Sequence, residues 1–341
     1  MSILRDEIRE QPAALARALT EGQSAVGDLA AAARARDVRY LVLAARGTSD
    51  NAATYAKYLF EIACGIPVAL AAPSVQTLYD ADVNYQGALV IGVSQSGAGE
   101  DICEVITRAR RGGALTAALT NTADSRLAQS AEHTLLCHAG PESAVAATKT
   151  YTTTLAVFAL LAAAWTESPV LRDGLARIVA AAAEALTGEQ AIAELARTLI
   201  HAERMLTVAR GLHFATALEA ALKVAETSSV TTQAFSSADL LHGPIASVAP
   251  HTPCLLFTPR GRTAAAVHEV AERLAAKGAR VLLFAGDDTP NAALRLPDPG
   301  TELLAPLVDI IPAQLLAYHL TLARGMDPDQ PQGLTKITST R

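Results

Sequence analysis

The chain predicts an α/β protein made of two homologous domains, each a doubly wound parallel sheet, with helical segments before and between them and a C-terminal tail. Three observations carry this expectation. Short apolar runs alternate with helical patterns along the chain, as they do where crossover helices join parallel strands. Two segments recur at nearly one spacing. Half of the 341 residues are hydrophobic and only 4% are aromatic, which gives a large core of small side chains suited to close-packed helices.

Residues 1–32, opening "MSILRDEIREQPAALARALTEG", are charged and amphipathic and read as an N-terminal helical segment without a secretory apolar core. The first domain is placed at 33–165. Its strands are "RYLVLAA", "PVALAAP", "ALVIGVS", "LTAALTN" and "HTLLCHA", short apolar runs bounded by turn residues. Leu155 to Trp165, "LAVFALLAAAW", reads as a buried helix, since no uninterrupted apolar run approaches the ~18 residues of a membrane span. Residues 166–194 are a helical linker.

The second domain, 195–325, follows from repetition. "LVLAARGTSDNAATYAKYLFE" (41–61) parallels "MLTVARGLHFATALEAALKVA" (205–225), with Gly211 lying 164 positions after Gly47. "ALVIGVSQSGAGEDICEVITRARRGG" (88–113) has its echo in "PCLLFTPRGRTAAAVHEVAERLAAKGARVLLFAG" (253–286), with Gly278 lying 165 positions after Gly113. Residues 326–341 are a polar tail, where Asp-Pro-Asp-Gln-Pro stops the preceding helix.

Charge excludes some partners. The net charge is −6 and the basic residues are scattered, densest at Arg108, Arg110 and Arg111 late in a predicted helix, where cations suit the dipole. No basic stripe for nucleic acid results. The four cysteines are far apart without a CxxC pair. A disulfide or zinc framework is not expected, and a reducing cytoplasm is. No metal or redox cofactor is expected, and no membrane.

In doubly wound sheets, ligands bind outside the carboxyl ends of the strands, so the loops there matter most. Ser94, Gln95, Ser96 and Gly97 lie between a strand and a helix N-terminus, where free N–H groups and the dipole favour an anion. The glycine lets backbone approach closely. "ARGTSDN" (45–51) repeats the arrangement with Gly47, Thr48 and Ser49, and "TNTADS" (120–125) is a third hydroxyl-rich loop. One such loop is usual helix capping, whereas two in one repeat unit predict a phosphate site. GxxxxGK[ST] is absent, which excludes a nucleotide P-loop. In "PESAVAATKTYTT" (141–153), Val145 and Ala146 offer backbone groups to a ligand.

Glu219, Lys223 and Glu226 share one helix face at spacings of four and three, either as a solvated ion-pair ladder or as chemistry. Glu226 directly precedes Thr-Ser-Ser, where the helix ends. A carboxylate there opposes the dipole, an arrangement that suits a proton carrier. His242 lies in "LLHGP", and Lys336 is a lone lysine in the tail.

These segments together resemble one family. "EIREQPAAL", "ARGTSDNA", "SQSGAGED", "AVAATKT", "ALEAALKVAE", "ADLLHGPIA", "PAQLLAYHLTLARGMDPDQP" and "LTKITST" occur in the order of the isomerase half of the glutamine–fructose-6-phosphate amidotransferases. That half is a tandem of flavodoxin-like sugar isomerase (SIS) domains. The resemblance implies that Ser49, Ser94, Gln95 and Ser96 bind phosphate, with Gly47, Thr48, Gly97 and Gly99 in the same loops. It implies that Val145, with Ala146 and Ala147, meets the sugar, that Glu226 moves a proton between carbons 1 and 2, and that Lys223 lies in the same pocket. His242 would assist ring opening from a neighbouring subunit, and Lys336 would form an imine with the open-chain ketose.

There are departures. The family's Ser-Gln-Ser-Gly-Glu-Thr is Ser-Gln-Ser-Gly with Ala98 and Gly99 here, and a sugar-contacting serine is Ala147. Met1 is followed by Ser2 rather than the cysteine nucleophile of a glutaminase. The expectation is therefore a homodimeric enzyme of the type of the SIS glucosamine-6-phosphate deaminases, releasing fructose 6-phosphate and ammonia. Its alternatives are a deaminase or deglycase for galactosamine 6-phosphate or fructosamine 6-phosphate, an aldose–ketose isomerase, or a non-catalytic sugar-phosphate sensor.

Overall fold

The computed structural model describes residues 2–286 and 289–336. Its helices in chain order are α1 (Ile3–Arg9), α2 (Gln11–Glu21), α3 (Gln23–Ala35), α4 (Thr48–Ala63), α5 (Ser74–Thr77), α6 (Glu100–Arg111), α7 (Arg126–Ser130), α8 (Lys149–Thr166), α9 (Pro169–Thr187), α10 (Glu189–Arg197), α11 (Phe214–Ser228), α12 (Ser237–Leu241), α13 (Ala264–Ala276) and α14 (Pro306–Ala323). The strands are β1 (Tyr40–Ala44), β2 (Val68–Leu70), β3 (Ala88–Val93), β4 (Leu115–Thr120), β5 (His133–Leu136), β6 (Arg204–Ala209), β7 (Thr231–Ser236), β8 (Pro253–Thr258), β9 (Arg280–Ala285) and β10 (Leu294–Arg295). The chain divides into two compact units, each built on one sheet.

One unit comprises Ala13–Glu142, Lys149–Ala176 and the C-terminal segment from Thr335. Its sheet has the order β2-β1-β3-β4-β5, parallel throughout, with Leu41 beside Val68 and Leu89, and Gly92 beside Ala44 and Ala118. This is the flavodoxin-like winding, whose strand order reverses between β1 and β3 and opens a crevice at their carboxyl ends. Every residue of β3 and β4 is buried, as parallel strands covered on both faces require. Gly92 has a packing reason: a Cβ there would come within 2.8 Å of the Ile106 and Leu127 side chains, so glycine lets α6 approach the sheet. Val42, Val90, Ile102 and Ile106 form the core beneath α6, each contributing roughly 1.5–3 kcal/mol by burial. Helix α8, which contains the predicted Leu155–Trp165 helix, is buried over most of its length.

The other unit comprises the segment from Ser2 to Pro12, Ser143–Thr148 and Arg177–Leu334. Its sheet, β10-β9-β8-β6-β7, is also parallel and repeats the same winding order. Val208, Leu240, Leu256, Val267 and Leu274 make its core. Strand β7, "TTQAFS", is half-exposed and has no apolar run to announce it, yet it pairs with β6 over six positions. Helix α14 is long and apolar enough to cross a membrane, but 83% of it is buried inside the protein. It also carries Asp309 and Gln314, both 1% exposed and bonded to His213 and Gln11. It is a core helix.

The first residues of the chain are tied down within this unit. Ser2 Oγ and the Ile3 and Leu4 amides donate to the Asp329 carboxylate at 2.8–2.9 Å. Glu189 accepts from Arg5 at 2.7 Å and from Arg9 at 2.6 Å, with His319 Nε2 at 3.1 Å. Burial alone would raise the Glu189 carboxyl, but the two guanidinium bonds outweigh it and hold it below its ordinary value of 4.5. Burial lowers His319 below 6.5, against the pull of Glu189.

Both shifts act in one direction. Each group binds more protons unfolded than folded, so stability is fully present above the unfolded value and is lost as pH falls through the folded one. The melting temperature should therefore fall first as pH drops below about 6.5, as unfolded His319 charges, and again below about 4.5, as unfolded Glu189 protonates. Each kcal/mol lost corresponds to roughly 2–4 °C. Thermal melts of Glu189→Gln across this range should lack the lower step; an unchanged profile would remove Glu189 as its source.

Candidate functional site

The most telling cleft of the first-sheet unit lies at the carboxyl ends of β1 and β3. After β1 the chain turns at Gly47, with φ of +54°, and Thr48 begins α4. After β3 the loop Ser94–Gly97 leads to Gly99, the N-cap of α6. Gly97 has φ of +62°, and a Cβ on it would collide with Ser125 Oγ. Only glycine fits this position.

The loop is tied on its carbonyl side. Gln95 O accepts from the Asn121 amide at 3.0 Å and the Thr120 hydroxyl at 3.2 Å, and Gly97 O accepts from the Leu127 amide at 3.0 Å. Ser94 Oγ accepts from the Gly97 amide and Ser96 Oγ from the Ala98 amide. The 120–125 loop thus props the 94–97 loop. Ser125, within it, caps α7.

A cleft of about 190 Å³ results, lined by Arg46, Ser49, Ser94, Gln95, Ser96, Gly99, Asp101 and Lys336. Six of these were singled out from the sequence. Gly47, Thr48 and Gly97 shape the turns without lining the cleft. Two long helices begin at this edge, an arrangement that favours anions.

The sequence reading missed three participants. Arg46 adds a cation, its Nε donating to Asp101 Oδ2 at 2.9 Å. Asp101 is 1% exposed and its other oxygen accepts from the Ile102 amide. Glu142 holds Lys336, whose Nζ donates to Oε2 at 3.1 Å. The same carboxylate takes the amide and hydroxyl of Thr150 at 3.0 and 2.7 Å. "RGTS" carried a visible cation; the acids gave no signal, because their partners are distant in sequence.

In the second-sheet unit, Glu219, Lys223 and Glu226 lie along α11. Lys223 Nζ is 2.6 Å from Glu226 Oε2 and 3.5 Å from Glu219 Oε1. The ladder exists, but Glu219 and Lys223 are buried at 0% and 2% exposure, so a solvated surface face is not its setting. Glu226 is partly exposed, in the last turn before Ser229 takes a left-handed φ of +55°.

In the same unit, Glu7 accepts from the Ala144 amide at 3.3 Å, and Gln314 donates to Thr148 O at 3.4 Å. These bonds brace the 143–148 loop, in which Ala146 is buried and Val145 and Ala147 are half-buried. His242 is exposed at the end of α12 and does not join the Lys223 ion pairs. In the tail, Lys336 is the last described residue; 337–341, with the remainder of "LTKITST", lie outside the described residues.

Among the described residues no group of three His, Cys, Asp or Glu side chains is arranged to hold a metal. All four cysteines are unpaired. Burial pushes the Cys64, Cys137 and Cys254 thiols up to about 12, so they are not poised as nucleophiles at neutral pH. Chemically, the first unit brings hydroxyls, a guanidinium and an amine to one cleft. The second offers a carboxylate whose charge is balanced by a buried ammonium.

A SIS-domain profile matches residues 36–164 and 198–324. The chain is 35% identical over 339 residues to the glutamine–fructose-6-phosphate aminotransferase (isomerizing) of Methanothermobacter thermautotrophicus, an alignment covering 98% of this chain and 56% of that protein. It spans about half the length of the curated relatives it matches. Among solved structures, a protein of Silicibacter pomeroyi DSS-3, provisionally described as a phosphosugar isomerase, superposes with a TM-score of 0.88 at 38% identity, covering 96% of this chain and 100% of the other. The C-terminal domain of glucosamine-fructose-6-phosphate aminotransferase from Francisella tularensis gives 0.89 at 26% identity, covering 97% and 98%.

The Gly97 turn is directly testable. Gly97→Ala should destabilise the protein by about 2–3 kcal/mol, combining left-handed strain with a displaced Ser125 cap. Adding Ser125→Gly should recover part of the loss in denaturant unfolding. No recovery would show that Ser125 is not what Gly97 must avoid.

Proposed function

Because the chain belongs to the SIS-domain family, we propose that it is an amino sugar phosphate deaminase and isomerase, converting glucosamine 6-phosphate and water to fructose 6-phosphate and ammonia. The observation that carries this reading is an amine, Lys336 Nζ, among the residues lining a hydroxyl-rich cleft at two helix N-termini. Phosphate suits the hydroxyls, the amides and Arg46. An amine beside that anchor suits a substrate with a carbonyl, or an imine, near its other end.

Each residue then has a stated task. Ser49, Ser94, Gln95 and Ser96 hold the phosphate. His242, exposed in the single chain, assists ring opening, and in this reading it is contributed by the second subunit of a homodimer. Val145, Ala146 and Ala147 border the sugar. Glu226 takes the proton from carbon 2 of the open amino aldose and returns it to carbon 1, giving the ketose imine. Lys223, 2.6 Å from Glu226, balances its charge. Lys336 attacks carbon 2 and expels ammonia. Water then cleaves the lysine imine, freeing fructose 6-phosphate and restoring the amine.

Ammonia release from glucosamine 6-phosphate by the purified chain, without glutamine, tests the reaction. Glu226→Gln should lower it by about 10²–10⁴-fold while sugar-phosphate binding persists. Release only from galactosamine 6-phosphate or a fructosamine 6-phosphate would move the specificity. Binding without turnover of any of the three would replace the deaminase by an isomerase or a sensor.

The imine has its own test. Borohydride reduction in the presence of fructose 6-phosphate should fix the sugar on Lys336, and Lys336→Arg should prevent it. The shared site is tested by mixing inactive His242→Ala and Glu226→Gln proteins, which should restore roughly a quarter of wild-type activity through exchanged dimers. A mixture that exchanges subunits and stays inactive would remove His242 from the partner's site.

A further inference from the structure

The second sheet has a cavity of its own at its carboxyl edge, apart from any residue given a task above. It measures about 390 Å³ and is lined from the loop after β8 by Arg260 and Arg262, from the segment after β10 by Asp298 and Glu302, and from the first turn of α14 by Asp309. That volume falls within the range of small-molecule sites. Both α13 and α14 begin beside it, and helix N-termini favour anions.

The internal repeat shows what kind of place this is. Gly261 lies 164 positions after Gly97, the spacing that also separates Gly47 from Gly211. Both Gly97 and Gly261 have positive φ, +62° and +136°. The turn is kept, but its flanking residues differ: Ser96 and Ala98 correspond to Arg260 and Arg262, and Ser49 corresponds to His213. One hydroxyl, Ser96, gives way to a guanidinium, another, Ser49, to an imidazole, and Ala98 to a second guanidinium, while Ser94 keeps a hydroxyl counterpart in Thr258.

The turn is fixed in place. A Cβ on Gly261 would overlap Glu302 Oε2, and the Arg262 amide donates to that oxygen at 2.7 Å. Arg260 Nη1 lies 3.7 Å from Asp298 Oδ2.

Asp309 belongs to the wall of the cavity. It is 1% exposed. Its Oδ2 is bonded to His213 Nε2 at 2.8 Å, whereas Oδ1 has no hydrogen-bond partner among the described residues. Such an oxygen is costly and rare; it is itself closed off from solvent, so Asp309 forms part of the cavity wall with Oδ1 turned into the packing behind it.

We propose that this cavity is a second small-molecule site, binding a phosphorylated sugar or polyol. Arg260 and Arg262 hold its phosphate, and Asp298 and Glu302 accept from its hydroxyls. The site rests on its own residues and not on the reaction assigned to the first cleft.

Calorimetric titration of the full chain with fructose 6-phosphate should show two sites per chain. Arg260→Ala with Arg262→Ala should weaken one of them by about ten- to a hundredfold, while Ser94→Ala with Ser96→Ala should weaken only the other. Inorganic phosphate should bind the arginine site more weakly than fructose 6-phosphate; equal affinity would remove the hydroxyl contacts and leave an anion site only. On the unaltered protein, fructose 6-phosphate should slow amide exchange across residues 259–263, a readout independent of how the variants fold. A single site abolished by the serine changes, or no slowing at 259–263 at saturating ligand, would overturn the proposal. Loss of the serine site alone would count against the first cleft and leave this one standing.

Discussion

The hydrogen bonds that take up the carbonyls of Gln95 and Gly97 are the constraint on which the first cleft depends. Asn121, Thr120 and Leu127 bind those acceptors from β4 and α7. With the acceptors engaged there, the loop presents hydroxyls and the start of α6 at the crevice, which is what an anion requires. Parallel winding makes this possible. It sends β3 into the middle of the sheet, buried throughout, and brings two loops from strands far apart in sequence to the same edge. Gly97 is the point where the arrangement has no slack, because backbone sign and side-chain space both demand glycine.

Charge is handled by one rule throughout. Ionised groups taken out of water must be paired. Asp101 receives Arg46, Glu142 receives Lys336 and two groups of Thr150, and Lys223 sits against Glu219 and Glu226. For Arg46 and Lys336 the buried carboxylate fixes a cation that would otherwise sample many rotamers, whereas Lys223 is buried together with Glu219. Lys336 is a polar residue late in the chain whose amine is bonded to Glu142.

Asp309 departs from the rule in an informative way. Burial pushes its carboxyl above the usual range, against the pull of His213 and Arg260, and one oxygen is left without a donor. The two sheets share winding order, strand spacing and even the glycine turn after the third strand, yet the residues flanking that glycine have changed from Ser96 and Ala98 to Arg260 and Arg262. Duplication preserved what the fold needs, namely the turn and the core, and left the loop chemistry free to change, since exposed loop side chains contribute little to stability.

Much of this is legible in the amino-acid sequence. The alternation of helical and strand periodicities, the spacing between Gly47 and Gly211, and the small-residue core follow from local chemistry, so the α/β class, the repeat and most strands could be read from the chain. The hydroxyl loops were legible too, because strand, glycine and helix are contiguous. What could not be read depends on partners distant in sequence. Strand β7 is polar and exists because β6 offers it six positions to pair with. The Glu219–Lys223–Glu226 row looks identical on a solvated or a buried face, and the packing of α11 decides for burial. Asp101, Glu142 and Asp309 are ordinary acids in the sequence. Their burial and their partners arise only when the strands are wound, because hydrogen bonding and desolvation are properties of a place in the fold and not of a residue type.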